Sequence, residues 1–380
     1  MIKRNLYFEN LDGLRFFSFL AIFFYHVFYT SDPGMEQNPV YKFFYKIALN
    51  GDLGVNCFFV LSGFLITYLL LSEKMMNGKI DFVKFYIRRA LRIWPLYFFC
   101  VIFGFYIFPR IKLLMGGVPS ETAQLSYFLF FLPNFNNIAN DFPDSSILGA
   151  LWSVGIEEQF YFVWPFILAY LPSRHYMKFF AGLILSSVIF RACHTYAYRI
   201  LDFHTMSVIS DMGIGGMCAY LSIGKDSFRS YFKNMKRKTI VCLYLAGAVL
   251  LYFRYLIFRE NMTSFVFERI VLSVFFAFII LEQTYSDNSF FKVGRWRIIT
   301  KLGTYTYSLY CLHFIGILTA VYILKYAGVK ETLLEIFLWL PILAFILSMV
   351  IGWLSYHYFE SYFLRLKEKF SYIVKKEQEL

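Results

Sequence analysis

LDGLRFFSFLAIFFYHVFY, residues 11–29, is an apolar run of membrane-spanning length that nevertheless carries Arg15 near its start and His26 near its end. A spanning helix needs about 20 mostly apolar residues. An ionisable group inside hydrocarbon costs roughly 2.5–3.5 kcal/mol even on lenient insertion scales. The run therefore reads as a first membrane helix whose two ionisable side chains have compensating partners elsewhere in the chain. His26 lies eleven residues beyond Arg15, about 16 Å along a helix axis.

The composition extends this reading to the whole chain. Of 380 residues, 59% are hydrophobic and 16% charged, and mean hydropathy is +0.55; soluble domains carry roughly 25% charged residues. The 48 Phe and 30 Tyr supply lipid-facing surface and interfacial belts. Six cysteines (57, 100, 193, 218, 242 and 311) fall within apolar segments, without metal-ligand or redox spacing, so they read as small buried hydrophobes. No metal site is expected. Ser31-Asp32-Pro33-Gly34 follows the first run where a cleavage site would have small residues, so that run reads as a retained anchor.

Ten runs qualify as spanning candidates: 14–30, 54–71, 91–109, 148–171, 179–197, 206–223, 239–257, 264–283, 303–324 and 334–358. The expected class is thus an all-α, polytopic membrane protein of about ten helices. Segment 125–135 is shorter and runs into Pro133-Asn134-Phe135-Asn136-Asn137, turn formers that would expose unpaired backbone in lipid. The connections at 72–90, 224–238 and 284–302 are strongly basic, as are both termini. The positive-inside rule puts these in the cytoplasm, which places the net charge of +12 on a membrane flank and argues against a nucleic-acid partner. The stretch from Pro109 to Lys225 must then cross an odd number of times, which three long runs already satisfy. Segment 125–135 is accordingly expected to be re-entrant or interfacial within an external loop, 110–147. Residues 1–364 form one membrane-embedded domain, and 365–380 a basic cytoplasmic tail. No internal repeat is evident.

Ionisable residues within these runs are the candidate site. His26 can serve as a general base or nucleophile, because imidazole titrates near neutrality. Asp12 and Arg15 sit at the cytoplasmic edge of the same helix. In FYIRRALRIWP, Arg88, Arg89 and Arg92 cluster at the cytoplasmic start of the third helix; they read either as an ordinary positive flank or as a phosphate clamp. LWSVGIEEQFYFVWP puts Trp152 above the consecutive carboxylates Glu157 and Glu158. Neighbouring helical residues point about 100° apart, so the two should face different partners. Ser62 on the second helix can hydrogen-bond across helices. Tyr307 and His313 in YTYSLYCLHF, together with Arg191, His194, Asp211 and Glu360, are weaker signals.

Taken together, LDGLR with its histidine, FFVLSGFLIT, FYIRRALRIWPLYF, LWSVGIEEQFYFVWP and YSLYCLHF resemble, in order along the chain, the integral-membrane acyltransferase 3 family, and the resemblance covers residues 11 to about 360. It implies ten helices in the inner membrane of a bacterium, with both termini cytoplasmic. It also implies transfer of an acyl group, expected to be acetyl, from acyl-CoA to a hydroxyl of an extracytoplasmic carbohydrate or glycolipid. No permanently bound cofactor is implied; acyl-CoA is the donor substrate. Carried over by position, His26 is the catalytic base, Arg15 its first-helix partner, Arg89 and Arg92 contacts for CoA phosphates, and Glu157 with Glu158 the paired-glutamate block, one of which is expected to orient or charge-stabilise the imidazole. VISDMGIGGMCAYL around Asp211 lacks the basic residue expected upstream, and YFESYFL around Glu360 departs from the usual Glu-Arg-Pro. Whether the acyl group passes directly or through a covalent enzyme intermediate stays open. Two rivals are a transporter for an anionic solute, which should show repeated halves, and a membrane scaffold, which would tolerate loss of the ionisable residues.

Overall fold

The structure, a computed structural model, describes residues 8–30, 32–258, 260, 262–329 and 332–370. Every regular element among them is helical. Ten long helices carry the fold: α1 Glu9–Val27, α2 Leu53–Asn77, α3 Phe82–Ile102, α4 Ser146–Tyr170, α5 Tyr176–Cys193, α6 Thr205–Gly224, α7 Arg237–Tyr252, α8 Met262–Tyr285, α9 Thr306–Tyr326 and α10 Glu335–Glu368. Each overlaps one expected run. The chain is an all-α polytopic membrane protein.

Seven of these helical stretches are long and apolar enough to cross a membrane, against the ten expected. The remaining three have identifiable reasons. Asp12, Arg15 and His26 lower the mean hydropathy of α1, and Glu157-Glu158-Gln159 does the same for α4. Helix α7 is 16 residues long, short of the length that hydrocarbon thickness asks for.

Helices α2 and α6 form the most buried part of the bundle. They touch backbone to backbone: a Cβ added to Gly63 would lie 2.2 Å from the Met212 carbonyl oxygen, and one added to Gly215 would lie 2.1 Å from that of Val60. Small residues permit this approach, and without water between helices such packing is a main source of association. Helix α3 begins earlier than its apolar run suggests. The Asp81 carboxylate accepts from the Lys84 N–H at 3.0 Å, an N-cap that starts the helix at Phe82 and puts all three arginines inside it. A π-helical turn, Glu335–Trp339, opens α10 and a second, Ser355–Glu360, interrupts it; the second directs Glu360 at the hydroxyls of Ser308 (2.5 Å) and Ser355 (2.9 Å).

Segment 125–135 does not cross. It belongs to a hairpin of two short helices, Leu125–Leu129 and Pro133–Ala139, whose tip reaches the middle of α4. There Gln159 donates to the Phe131 carbonyl at 2.9 Å and to Asn134 Oδ1 at 2.8 Å. Tyr97 donates to the Phe128 carbonyl at 2.8 Å, and Leu132 N–H to that of Tyr127 at 2.7 Å. Non-helical backbone at this depth is tolerated because protein groups satisfy it. Phe131 at the tip has φ 57°, an unusual conformation for a bulky side chain, and its ring packs on Trp94, Tyr97 and Phe98.

Several intramembrane charges prove to be interhelical staples. Asp211 on α6 receives the Arg269 guanidinium of α8 at 2.6 and 3.1 Å and the Ser273 hydroxyl at 2.7 Å. The cation missing upstream of Asp211 in sequence is thus supplied from another helix. Arg191 donates to Ser207 Oγ at 2.9 Å and to the carbonyls of Leu201, Phe265 and Val266. Arg254 is held between Asp52 and Glu268. The expected tail begins within α10, whose last residue is Glu368; positions from 371 onward lie outside the described residues.

Candidate active site

Helix α1 carries His26 to one end of the bundle, where α9 brings His313 against it. His26 Nδ1 and His313 Nε2 are 2.9 Å apart, with the rings nearly stacked, centroids 5.1 Å apart. Four residues of α9, Tyr310 to His313, then decide the protonation pattern. His313 Nδ1 lies 2.8 Å from the Tyr310 carbonyl oxygen. A carbonyl only accepts, so this nitrogen carries the proton, and in the neutral ring Nε2 is left as an acceptor. His26 Nδ1 must then donate to it. The unshared pair of His26 is thereby on Nε2, which has no hydrogen-bond partner among the described residues. His313 is fully buried, beside Phe19 and Phe314, so its ring has little freedom to turn. The Tyr310 hydroxyl continues the network to Ser153 Oγ of α4 at 2.6 Å.

The glutamate pair of α4 lies elsewhere, and its two members diverge as their spacing requires. Glu157 accepts from Ser62 at 2.7 Å and from Tyr161 at 3.0 Å, within electrostatic reach of Arg15 and Arg89. Glu158 turns the other way and accepts from the Trp94 indole N–H at 2.8 Å; its second oxygen is buried without a partner. No described contact joins either carboxylate to His26. The imidazole is oriented by His313, 287 residues away in sequence.

The arginines separate into two kinds. Arg88 is committed: it pairs with Glu73 at 3.3 Å and donates to the Phe370 carbonyl at 2.9 Å. Arg89 lies between the ring faces of Phe85 and Tyr161, both 5.7 Å from its guanidinium carbon. Its Nε is buried and unpartnered. Arg89 and Arg92 have no hydrogen-bond or ion-pair partner among the described residues. Arg15 spends one nitrogen on Asp12 at 2.5 Å and, like Arg92, lies in the field of Arg89. Three cations thus converge with most of their donors unspent, an arrangement suited to a polyanion such as phosphate. Tyr307 donates to the Ile93 carbonyl at 2.8 Å, tying α9 to the arginine-bearing stretch of α3.

The site thus has two poles inside one helical bundle, a histidine pair with a free imidazole nitrogen and a cluster of open arginines. Of the expected residues, His26 and His313 meet, as do Glu157 and Ser62 and, through electrostatics, Arg15 and Arg89. Trp152 stands apart, its ring edge-on to Phe203 at 5.0 Å. Sequence reasoning passed over Tyr161, Trp94 and Gln159, aromatic and amide residues whose roles come from what other helices set beside them.

A family described as an acyltransferase domain matches residues 8–357, and the chain belongs to it. The chain is also similar to a peptidoglycan O-acetyltransferase, OatA, of Listeria monocytogenes, at 26% identity over 376 residues, 93% of this chain and 55% of the relative. It is 26% identical over 344 residues to the O-acetyltransferase OatA of Staphylococcus aureus, covering 81% of this chain and 50% of the relative. It therefore spans about half the length of these relatives. No solved structure matches the chain.

Proposed function

We propose that this chain is the membrane-embedded O-acetyltransferase unit of a bacterial cell envelope, moving an acetyl group from cytoplasmic acetyl-CoA to a hydroxyl of an extracytoplasmic carbohydrate or glycolipid. The observation that carries the proposal is the hydrogen-bonded line from the Tyr310 carbonyl through His313 to His26, which leaves His26 Nε2 as a fixed, unprotonated base. The family and the relatives' named acceptor, peptidoglycan, support the substrate class.

Arg89 and Arg92, with Arg15 beside them, receive the CoA phosphates; Arg88, spent on Glu73, supports the fold. Glu157 holds the arginine pole through its interaction with Arg15 and Arg89, and Glu158, held by the Trp94 indole, supports the same stretch of α3 and α4. The basic connections orient this pole toward the cytoplasm of the inner membrane, with both chain termini on that side. The pantetheine arm then spans the distance of about 16 Å between Arg15 and His26. At the outer pole, His26 Nε2 takes the proton of the acceptor hydroxyl while its oxygen attacks the thioester carbonyl. The C–S bond breaks, the proton passes to the departing thiolate, and the products are the acetyl ester and CoA.

The test uses the purified chain in proteoliposomes with radiolabelled acetyl-CoA and envelope glycans from cells lacking the protein. Wild type is expected to label the glycan with stoichiometric release of CoA, and His26→Ala and Arg89→Ala to abolish labelling. Wild-type labelling by either variant overturns the assignment.

A further inference from the structure

Arg89 keeps its donors open although a carboxylate, that of Glu157, lies within electrostatic reach of it. In an apolar interior a carboxylate and a nearby guanidinium are most stable as a direct, hydrogen-bonded pair. Other arginines of the bundle follow that rule: Arg269 takes Asp211, Arg254 takes Asp52 and Glu268, and Arg88, the residue before Arg89, takes Glu73. Arg89 has no such partner among the described residues, and its Nε is buried without one. The exception has a local cause.

That cause lies in how Glu157 is spent. Its Oε1 accepts from the Ser62 hydroxyl at 2.7 Å and its Oε2 from the Tyr161 hydroxyl at 3.0 Å. The two hydroxyl oxygens are themselves 3.1 Å apart, which closes a triangle around the carboxylate. Tyr161 follows Glu157 by four residues on α4, so the two share a helix face, and the tyrosine is buried. The ring that carries this hydroxyl also lies against Arg89, 5.7 Å from its guanidinium carbon. A ring face attracts a cation without consuming any N–H donor. One side chain thus occupies the anion and supports the cation, and the donors of Arg89 stay unspent.

We infer that Tyr161 is a positioning residue that keeps Glu157 from pairing with Arg89, so that the arginine stays open to the phosphates of the acyl donor. Ser62 does the same work on the other carboxylate oxygen. Without the Tyr161 hydroxyl, Oε2 is a buried charged acceptor short of a donor, a costly state. It then turns to the unspent donors of Arg89, and the chain's own carboxylate takes the place of the phosphate.

This inference rests on the acyl-transfer reading, in which Arg89 binds acetyl-CoA, and a double-mutant cycle separates the two. Tyr161→Phe keeps the ring against Arg89 and removes only the hydroxyl. In the proteoliposome labelling assay it is expected to raise the KM for acetyl-CoA about tenfold, with kcat and the acceptor KM close to wild type. Added to Glu157→Gln, where no carboxylate competes for the arginine, the same change should move the KM for acetyl-CoA by less than about twofold relative to Glu157→Gln alone. Ser62→Ala should repeat this pattern in both backgrounds, and thermal midpoints check the folding of each variant. A tyrosine that only supports packing would give the same loss with either residue at position 157. An equal rise in KM in the two backgrounds, or a Tyr161→Phe protein with wild-type KM, overturns the inference while leaving the acyltransferase reading standing. No labelling by wild type overturns both.

Discussion

Replacing His313 with leucine removes the acceptor that receives His26 Nδ1–H at 2.9 Å while keeping the volume of a fully buried side chain nearly constant. Two consequences follow at His26. Its Nδ1–H loses a buried partner, and the ring can shift its proton to Nε2, the nitrogen that must be free to act as a base. Leaving one buried donor unsatisfied costs about 1–3 kcal/mol, which corresponds to roughly 5- to 150-fold in kcat. The loss should fall on kcat, because His313 lies at the opposite pole from the arginines and its described contacts are with Tyr310, His26, Ser348 and neighbouring rings. Glutamine at the same position can present an amide oxygen to His26 Nδ1–H and should restore much of the rate. The assay is CoA release in proteoliposomes at saturating acetyl-CoA, with the thermal midpoint of each variant as a check on folding. A folded His313→Leu protein with wild-type kcat, or a glutamine variant no better than leucine, refutes the tautomer argument.

Two further predictions rest on similar contrasts. Arg88→Ala should act on stability, since it strands the buried Glu73 carboxylate, whereas Arg89→Lys should raise the KM for acetyl-CoA by about tenfold through loss of the planar fork; a reversed pattern in melting and KM measurements would show that the two arginines have been misassigned. Gly215→Ala should lower the thermal midpoint by an amount equivalent to about 1–3 kcal/mol, because the new methyl meets backbone atoms of Val60 and Phe64 that cannot yield. Gly182→Ala, with nothing within 4 Å of the new atom, should stabilise by about 0.5–1 kcal/mol, and equal midpoints for the two variants would contradict the packing described for α2 and α6.

The helices were legible because hydropathy is a local property. Residues 206–223 and 264–283 read as spanning runs and fold as α6 and α8 within a residue or two of those limits. The start of α3 was less legible: its first turns contain Lys84, Arg88 and Arg89, so hydropathy sets its start near residue 91, while the Asp81 cap begins it at Phe82. The hairpin was legible as a segment that could not cross. Its depth was not, because that depends on Gln159 reaching two acceptors from another helix.

By itself, the sequence determined the class of the protein, the positions of its helices and the set of ionisable residues that needed partners, since each follows from the cost of placing a given side chain in hydrocarbon. Only the tertiary structure decided who those partners are. It gave His26 to His313, Asp211 to Arg269 and Arg88 to Glu73, and it left Arg89 and Arg92 open. The physical reason is that a hydrogen bond between helices depends on the rotation and depth of both, and these are fixed by packing across the whole bundle, including contacts as close as Gly215 against Val60.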